Sequence, residues 1–205
     1  MSNALTHTIA DRAIERTVAE RREEYVQEIQ RILDATYRVI GRTGQLDPSL
    51  RDVLKEAKLS TQGFYRYFQS KDELLLLLLD DGRRQLVGYL EHRMARVTTT
   101  EERIRAWVEG VLAQASRPDA ASRTLPFMTN EDRLAALFPE EHQASIDALV
   151  DVLRAATLDR ADAVAIYHVA FGALHAALRR GDPVGKDEAE HLVRFCLRGI
   201  TRGKS

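Results

Sequence analysis

Apolar residues recur with helical spacing along most of the chain, and this periodicity limits the possible folds more than any other feature. One stripe, ending near Gly41 and Gly44, consists of Ile29, Ile32, Leu33, Thr36 and Ile40. A later stripe, ending at Gly181, consists of Val164, Tyr167, Phe171, Leu174 and Leu178. Only 11 glycines and 5 prolines interrupt the 205 residues, and the alternating pattern of half-buried strands is absent. The sequence therefore predicts an all-α protein of about nine helices.

Composition indicates a soluble globular chain of one ordinary domain, or of two small domains that share a helix. Apolar residues make up 44% and charged residues 30% of the chain. The single cysteine, Cys196, excludes an internal disulfide. No signal peptide opens the chain, and the longest apolar run, Leu74 to Leu79, is too short to span a bilayer. We therefore expect a cytoplasmic protein with no membrane partner.

Positive charge is concentrated between residues 38 and 71, although the whole chain carries a net charge of −1. The seven basic residues of this segment are Arg38, Arg42, Arg51, Lys55, Lys58, Arg66 and Lys71. Its three acidic residues are Asp47, Asp52 and Glu56. Such a local excess suits an anionic partner bound at one end of the molecule.

The segment LSTQGFYRYFQSKDELL, residues 59 to 75, combines four aromatic residues with polar ones on a predicted helix over 61–68. On this helix Phe64 and Phe68 lie within about 40° of each other and define the core side. Gln62 and Arg66 lie on the opposite side, and an amide and a guanidinium suit the edges of adenine and guanine in a major groove. The alternative is an ordinary solvated face with amphipathic side chains.

The flanking residues predict two short helices joined by a tight turn. Asp47-Pro48-Ser49 supplies N-cap chemistry for a helix through Ala57, and Ser60 can cap the helix that follows. Ser70 and Glu73 have the spacing of a capping box, which starts a long helix reaching about Val97. We expect Gly63 to allow a close approach of DNA backbone, and the tyrosine hydroxyls and Lys71 to contact phosphates.

This segment resembles the helix-turn-helix of the TetR family of bacterial transcriptional regulators. The motif carrying the resemblance is LRDVLKEAKLSTQGFYRYFQSKDELL, and the closest matches are Val53, Ala57, Leu59-Ser60, Phe64 to Phe68 and Ser70 to Leu74. Lys58 departs from the family, which usually has glycine in the turn; either the lysine adopts a positive φ at some cost, or the turn differs slightly. The resemblance implies a three-helix DNA-binding domain over 22–82, with the recognition motif at 49–68. The predicted DNA-contacting residues are Ser49, Arg51, Lys58, Thr61, Gln62, Gly63, Tyr65, Arg66, Tyr67 and Lys71.

The resemblance also implies a helical domain over 83–205 that encloses a ligand pocket and dimerises through its last two helices. Candidate pocket residues are Trp107, Val111, Phe127, Met128, Phe138, Tyr167, His168 and His175. Candidate dimer contacts are Phe171, Leu174, Leu178, Leu192, Phe195 and Cys196. Small residues between 161 and 177 would let another helix pack closely, although a monomer core explains them equally well.

No pattern of residues predicts an enzyme, a cofactor or a metal site. His168 and His175 are roughly 10 Å apart along a helix, too far to share one ion, and no phosphate loop or nucleophile elbow occurs. The sequence therefore predicts a homodimeric repressor that a small, mainly apolar ligand releases from a palindromic operator on double-stranded DNA. The alternative is a DNA-binding regulator that is independent of an effector or controlled by a partner protein.

Overall fold

The protein is all-α, as its periodicity predicts. The computed structural model describes residues 8–45, 47–116, 124, 130–156 and 159–202, and no strand occurs in these ranges. The helices are α1 (Ile9–Thr43), α2 (Leu50–Ala57), α3 (Thr61–Phe64), α4 (Lys71–Met94), α5 (Thr100–Leu112), α6 (130–137), α7 (Pro139–Arg154), α8 (Arg160–Arg180) and α9 (Lys186–Arg202). A 3₁₀ turn, Ala113–Ser116, follows α5.

The helix ends follow the capping chemistry of the sequence. Gly44 and Gly181 end α1 and α8 in the left-handed conformation, with φ of 65° and 74°, where glycine has no Cβ penalty. Ser70 Oγ accepts a hydrogen bond from Glu73 N at 3.2 Å, and the Glu73 carboxylate accepts one from Gln69 N at 2.5 Å. The second bond comes from one residue before the position that a standard capping box uses.

Two separate apolar cores divide the molecule into a head and a body, and α4 contributes to both. The head core begins at Ile32 of α1, includes residues of α2 and of the α3 region, and extends to Leu79 in the first half of α4. The body core joins the second half of α4, from Leu90, to α5, α7, α8 and α9. The boundary predicted at residues 82 and 83 therefore lies inside α4. Helix α4 is a single continuous helix that contributes side chains to both cores.

One residue of α6 belongs to the head core although it lies in the predicted C-terminal domain. Leu134 is completely buried among the head residues. Next to it, Arg133 forms ion pairs with Asp72 at 3.1 Å and with Asp47 at 3.6 Å. Sequence periodicity predicts the helix but not its docking on the head, because that contact joins residues far apart in the chain.

Helix α8 has the length and the apolar composition of a membrane span, with a mean hydropathy of 1.4 over its most apolar window. Its side chains at Ala163, Ile166, Ala170 and Leu174 are buried in the body core. Packing against the other body helices accounts for these apolar positions, which belong to the 39% of that window that is buried.

Candidate nucleic-acid interface

The α3 segment is held in place by two phenylalanines that enter the head core. Phe64 and Phe68 are buried, and their rings stack with centroids 5.0 Å apart. Their burial stabilises the segment by about 1.5–3 kcal/mol each. The polar residues between them are consequently directed away from the core.

The turn between α2 and α3 depends on Lys58 and Ser60. Lys58 ends α2 with φ 55° and ψ 43°, and it is the only residue other than glycine with positive φ in the ranges that the structure describes. Its backbone N–H donates to the carbonyls of Leu54 and Lys55. Ser60 Oγ then accepts a hydrogen bond from Gly63 N at 3.0 Å and starts α3. Of the two alternatives for this turn, the positive φ is therefore the one present.

The predicted helix over 61–68 is shorter in the structure, where regular α-helix covers only Thr61–Phe64. After Phe64 the chain continues in tighter turns, with Arg66 N donating to Gly63 O at 3.3 Å and Tyr67 N donating to Phe64 O at 2.9 Å. Phe64 and Phe68 are nevertheless both buried and Gln62 and Arg66 are both exposed, as the helical placement predicts. We call residues 61–68 the recognition segment.

Arg66 lies beside α1 and next to Tyr67. Its guanidinium carbon is 5.7 Å from the centroid of the Tyr67 ring, within the range of a cation–π contact. Together with Arg21 and Arg31 it lines a cleft of about 590 Å³ between α1 and the recognition segment. Tyr25 of α1 also contacts Tyr67, with ring centroids 5.5 Å apart.

Gly63 has a packing explanation within the head, and the close approach to DNA expected from the sequence stays a prediction. It is buried, and a Cβ at this position would lie 2.7 Å from Cδ1 of Leu59 and 3.2 Å from Oγ of Ser60. The missing side chain therefore lets the turn close tightly.

The other predicted DNA contacts lie at the surface of the head. Exposed residues of this set are Ser49, Arg51, Lys58, Thr61, Gln62, Tyr65 and Arg66, and Tyr67 and Lys71 are half-buried. Ser49 caps α2 by accepting from Asp52 N at 3.2 Å. Lys71 forms an ion pair with Asp47 at 2.5 Å, so it can contact a phosphate only in competition with that carboxylate.

Ion pairs divide the basic residues of the head into two groups. Arg38 and Arg42 of α1 both bind Glu56 of α2, at 2.9 and 2.7 Å. Hydrogen bonds from Arg42 and then from Arg38 lower the pKa of Glu56. The basic residues without an ion pair among the described parts of the head segment 38–71 are Arg51, Lys55, Lys58 and Arg66. This unpaired charge lies on α2, the turn and the recognition segment, where it is available to an anionic partner.

The predicted pocket residues do not form one group in the structure. Trp107, Val111 and Tyr167 are buried in the body core, His175 is half-buried and His168 is exposed. Phe138 packs against the head core, unlike the body residues of this set, and its assignment to the pocket stays a prediction. Phe127 and Met128 lie outside the described residues.

Several polar groups lie close together where α4, α6, α7 and α8 meet. Arg83 and His142 Nε2 lie 3.6 and 3.5 Å from the carboxylate of Glu131. Burial lowers the pKa of Arg83 and of His142, and for His142 the nearby Arg83 adds to the effect. Burial also raises the pKa of Tyr167 to about 12 and lowers that of His175. Both histidines and Tyr167 are therefore neutral near pH 7.

Three predicted dimer contacts are buried within a single protomer. Leu174, Leu178 and Cys196 face the body core, and their assignment to an intersubunit surface stays a prediction. Burial also raises the pKa of the Cys196 thiol to about 11. Leu192 and Phe171 are half-buried, whereas Phe195 is 61% exposed. Phe195 is thus the predicted contact with the most apolar surface to offer a partner.

The head matches the N-terminal domain model of the bacterial regulatory proteins of the tetR family over residues 32–78. The chain is also 35% identical over 75 residues to the HTH-type transcriptional regulator BetI of Brucella anthropi, which covers 37% of this chain. The chain spans only 39% of the length of that relative.

The fold extends the likeness to the body. A TetR transcription regulator from Haloarcula marismortui superposes with a TM-score of 0.62 at 19% identity, covering 86% of this chain and 98% of that one. The transcriptional regulator FadR from Bacillus subtilis, in complex with stearoyl-CoA, gives 0.57 at 17% identity, with coverages of 83% and 98%. At these identities the likeness is one of fold.

Proposed function

Because the chain belongs to the TetR family of bacterial regulatory proteins, we propose that it is a cytoplasmic transcriptional regulator that binds operator DNA as a homodimer. We further propose that it is a repressor, and that a small, mainly apolar ligand releases it from a palindromic operator. The observation that carries the proposal is the surface of α2 and the recognition segment. It combines unpaired basic side chains with an exposed amide, on a segment fixed to the core by Phe64 and Phe68.

The surface offers the two kinds of contact that sequence-specific binding needs. Gln62 and Arg66 supply groups that suit base edges, and Tyr65, Tyr67 and Lys58 supply donors for phosphates. One short recognition segment reads few bases, so selectivity requires two of them in successive major grooves, about 34–36 Å apart or somewhat more. A two-fold dimer through α8 and α9 would supply this arrangement.

The coupling to a ligand rests on α4 and α6. Helix α4 runs from the head core into the body core, and α6 docks on the head through Leu134 and Arg133. A ligand that changes the packing of the body would therefore change the angle of the head. A coupling free energy of about 1–3 kcal/mol corresponds to a 5–150-fold loss of operator affinity.

A panel of variants tests the DNA-binding surface, using a labelled duplex enriched by the protein from random DNA. We expect Gln62→Ala and Arg66→Ala to lose about 1–3 kcal/mol of binding free energy and to relax sequence preference. Tyr65→Phe, Tyr67→Phe and Lys71→Ala should weaken binding to all sequences alike. Arg96→Ala, a change of an exposed residue in the body, is the matched control. Unchanged affinity in all five head variants would contradict the proposed surface.

The ligand response is tested separately, by scanning thermal unfolding against hydrophobic small molecules and titrating operator with each stabilising compound. We expect at least one stabilising compound to weaken operator binding. If none does, the better account is a regulator without an effector, which the complete burial of Trp107 and Val111 in the body core would favour.

A further inference from the structure

Two positive and two negative side chains meet where α6 docks on the head. Lys71 and Asp72 belong to the first turn of α4, Asp47 precedes α2, and Arg133 belongs to α6. One oxygen of Asp47, Oδ1, lies 2.5 Å from Lys71 Nζ and 3.6 Å from Arg133 Nη2. The same Arg133 nitrogen lies 3.1 Å from Oδ1 of Asp72. We call these four residues the α6–head charge cluster.

Asp47 is shared unequally between the two cations. Lys71 lies at hydrogen-bond distance, whereas Arg133 lies at ion-pair distance only. Arg133 is held there by its own helix, because its Nη2 donates to Oδ1 of Asn130 at 2.8 Å. Leu134, the next residue, has no exposed surface and anchors α6 to the head core. The cluster therefore places a fixed second cation beside the carboxylate that binds Lys71.

The cluster adjoins the proposed DNA-binding surface. Lys71 follows Ser70, the N-cap of α4, and Asp47 lies two residues before Ser49, the N-cap of α2. The side chains of the cluster are 29–43% exposed, so a phosphate can reach Lys71 without unfolding the head. Because the two positive and two negative charges cancel, the free protein attracts DNA only weakly at this point.

A DNA phosphate and Asp47 compete for the same ammonium group. If Lys71 turned to a phosphate, the Asp47 carboxylate would lose its nearest counter-charge and would lie close to the negatively charged DNA backbone. Both effects oppose binding, since charges closer than about 8 Å interact with little screening at physiological salt. Arg133 offsets them, because its guanidinium can move from ion-pair to hydrogen-bond distance from Asp47 as Lys71 leaves.

We propose that Asp47 restrains Lys71 in the free protein, and that Arg133 neutralises Asp47 when Lys71 binds a DNA phosphate. Arg133 is therefore a positioning residue, which promotes DNA binding from α6 without contacting DNA. The exchange of partners requires neither a ligand in the body nor a change in the angle of the head. This inference rests on the proposed function, because it concerns the groups around a proposed phosphate contact.

Titration of the full chain with two labelled duplexes tests the restraint: the duplex enriched from random DNA and one of unrelated sequence. We expect Asp47→Asn to raise the affinity for both duplexes by about 2–5-fold for each head that binds, which corresponds to about 0.4–1 kcal/mol, the range of an exposed ion pair. Damage to the structure would not raise affinity. At least half of the gain should disappear in the Lys71→Ala background, and the gain should shrink as added salt screens the charges.

The role of Arg133 is tested in the same titration. Arg133→Gln should lower the affinity for both duplexes by a similar factor, and Arg133→Lys, which keeps the charge, should restore part of it. Most of the loss should disappear when Arg133→Gln is combined with Asp47→Asn, because the carboxylate that Arg133 neutralises is then absent. If Arg133 contacted DNA directly, the effects of the two substitutions would instead be independent.

A second ion pair on α4 provides the matched controls. Arg84 lies 3.0 Å from Asp80, and both residues are at least roughly 14 Å from Lys71 along the helix at 1.5 Å per residue. Neither Asp80→Asn nor Arg84→Gln should change DNA affinity. Circular dichroism checks the fold of each variant, and if Arg133→Gln disturbs α6, Asp47→Asn with and without Lys71→Ala decides.

The outcomes separate this inference from the proposed function. If the wild-type protein binds DNA but Asp47→Asn binds it no more tightly, or if the effects of the Asp47 and Arg133 substitutions are independent, the inference is overturned and the proposed function stands. If the wild-type protein binds neither duplex, the proposed function is contradicted and the inference with it.

Discussion

Lys58 shows at the scale of one residue how a binding surface can conflict with stability. A lysine in the left-handed conformation costs roughly 1–2 kcal/mol that a glycine would avoid. The side chain is exposed and unpaired in the described structure, at the turn between α2 and the recognition segment. We interpret the strained lysine as a phosphate contact kept at the expense of stability.

Replacing Lys58 with glycine should therefore stabilise the protein and weaken its DNA binding. We expect Lys58→Gly to raise the free energy of unfolding by about 0.5–1 kcal/mol, because relief of strain exceeds the added entropy of the unfolded chain. Urea denaturation measures this change. Lys58→Ala is the matched control, since it removes the charge but keeps the positive φ; it should weaken DNA binding without the gain in stability. Equal stability of the two variants would contradict the strain argument.

Local chemistry made much of this region predictable from sequence. The caps at Ser49, Ser60 and Ser70 follow from residue type and spacing, whereas the positive φ of Lys58 was one of two possibilities that the family resemblance left open. The cleft that Arg66 shares with Arg21 and Arg31 of α1 could not be predicted, because it joins residues far apart in the chain. The role of Gly63 also depends on a contact, with Leu59, that periodicity does not report.

At the scale of secondary-structure elements, α6 is the least expected part of the structure. The sequence predicts a helix at 130–137, but its long-range docking on the head is a tertiary contact. Leu134 has no exposed surface and completes the head core, whereas Leu137 on the same helix is 54% exposed. The helix therefore contributes to head stability from the other side of the domain boundary.

Truncation of Leu134 should destabilise the protein as a head-core mutation would. We expect Leu134→Ala to lower the free energy of unfolding by about 2–5 kcal/mol through lost burial and the cavity left behind. Leu137→Ala, the control on the same helix, should change it by no more than about 0.5 kcal/mol. Chemical denaturation of both variants measures the difference. If both variants lost a similar, small amount of unfolding free energy, α6 would not dock on the head in solution.

At the scale of the whole molecule, the proposed assembly depends on the surface of α8 and α9. Leu174, Leu178 and Cys196 already serve the protomer core, so the dimer must use side chains that a single protomer leaves exposed. Phe195 is such a side chain, and its exposed surface would be buried by a second copy packed on α9.

A charge at Phe195 should therefore separate the subunits without unfolding them. We expect Phe195→Glu to be monomeric at micromolar concentration by analytical ultracentrifugation, because the carboxylate would be buried without a partner in the dimer. Leu137→Glu, which charges an exposed leucine of similar accessibility on α6, should remain dimeric. A monomeric wild-type protein at this concentration would contradict the assembly, as would a dimeric Phe195→Glu.

Selection of bound fragments from random DNA by the purified wild-type protein tests the central claim most directly. The account predicts enrichment of an inverted repeat whose half-sites are separated by about one turn of DNA, roughly 34–36 Å, or somewhat more. Its affinity should fall steeply as the salt concentration rises, as phosphate contacts by Lys58 and its neighbours require. Failure to enrich any sequence, or enrichment of a single asymmetric half-site, would contradict a dimeric, operator-specific regulator.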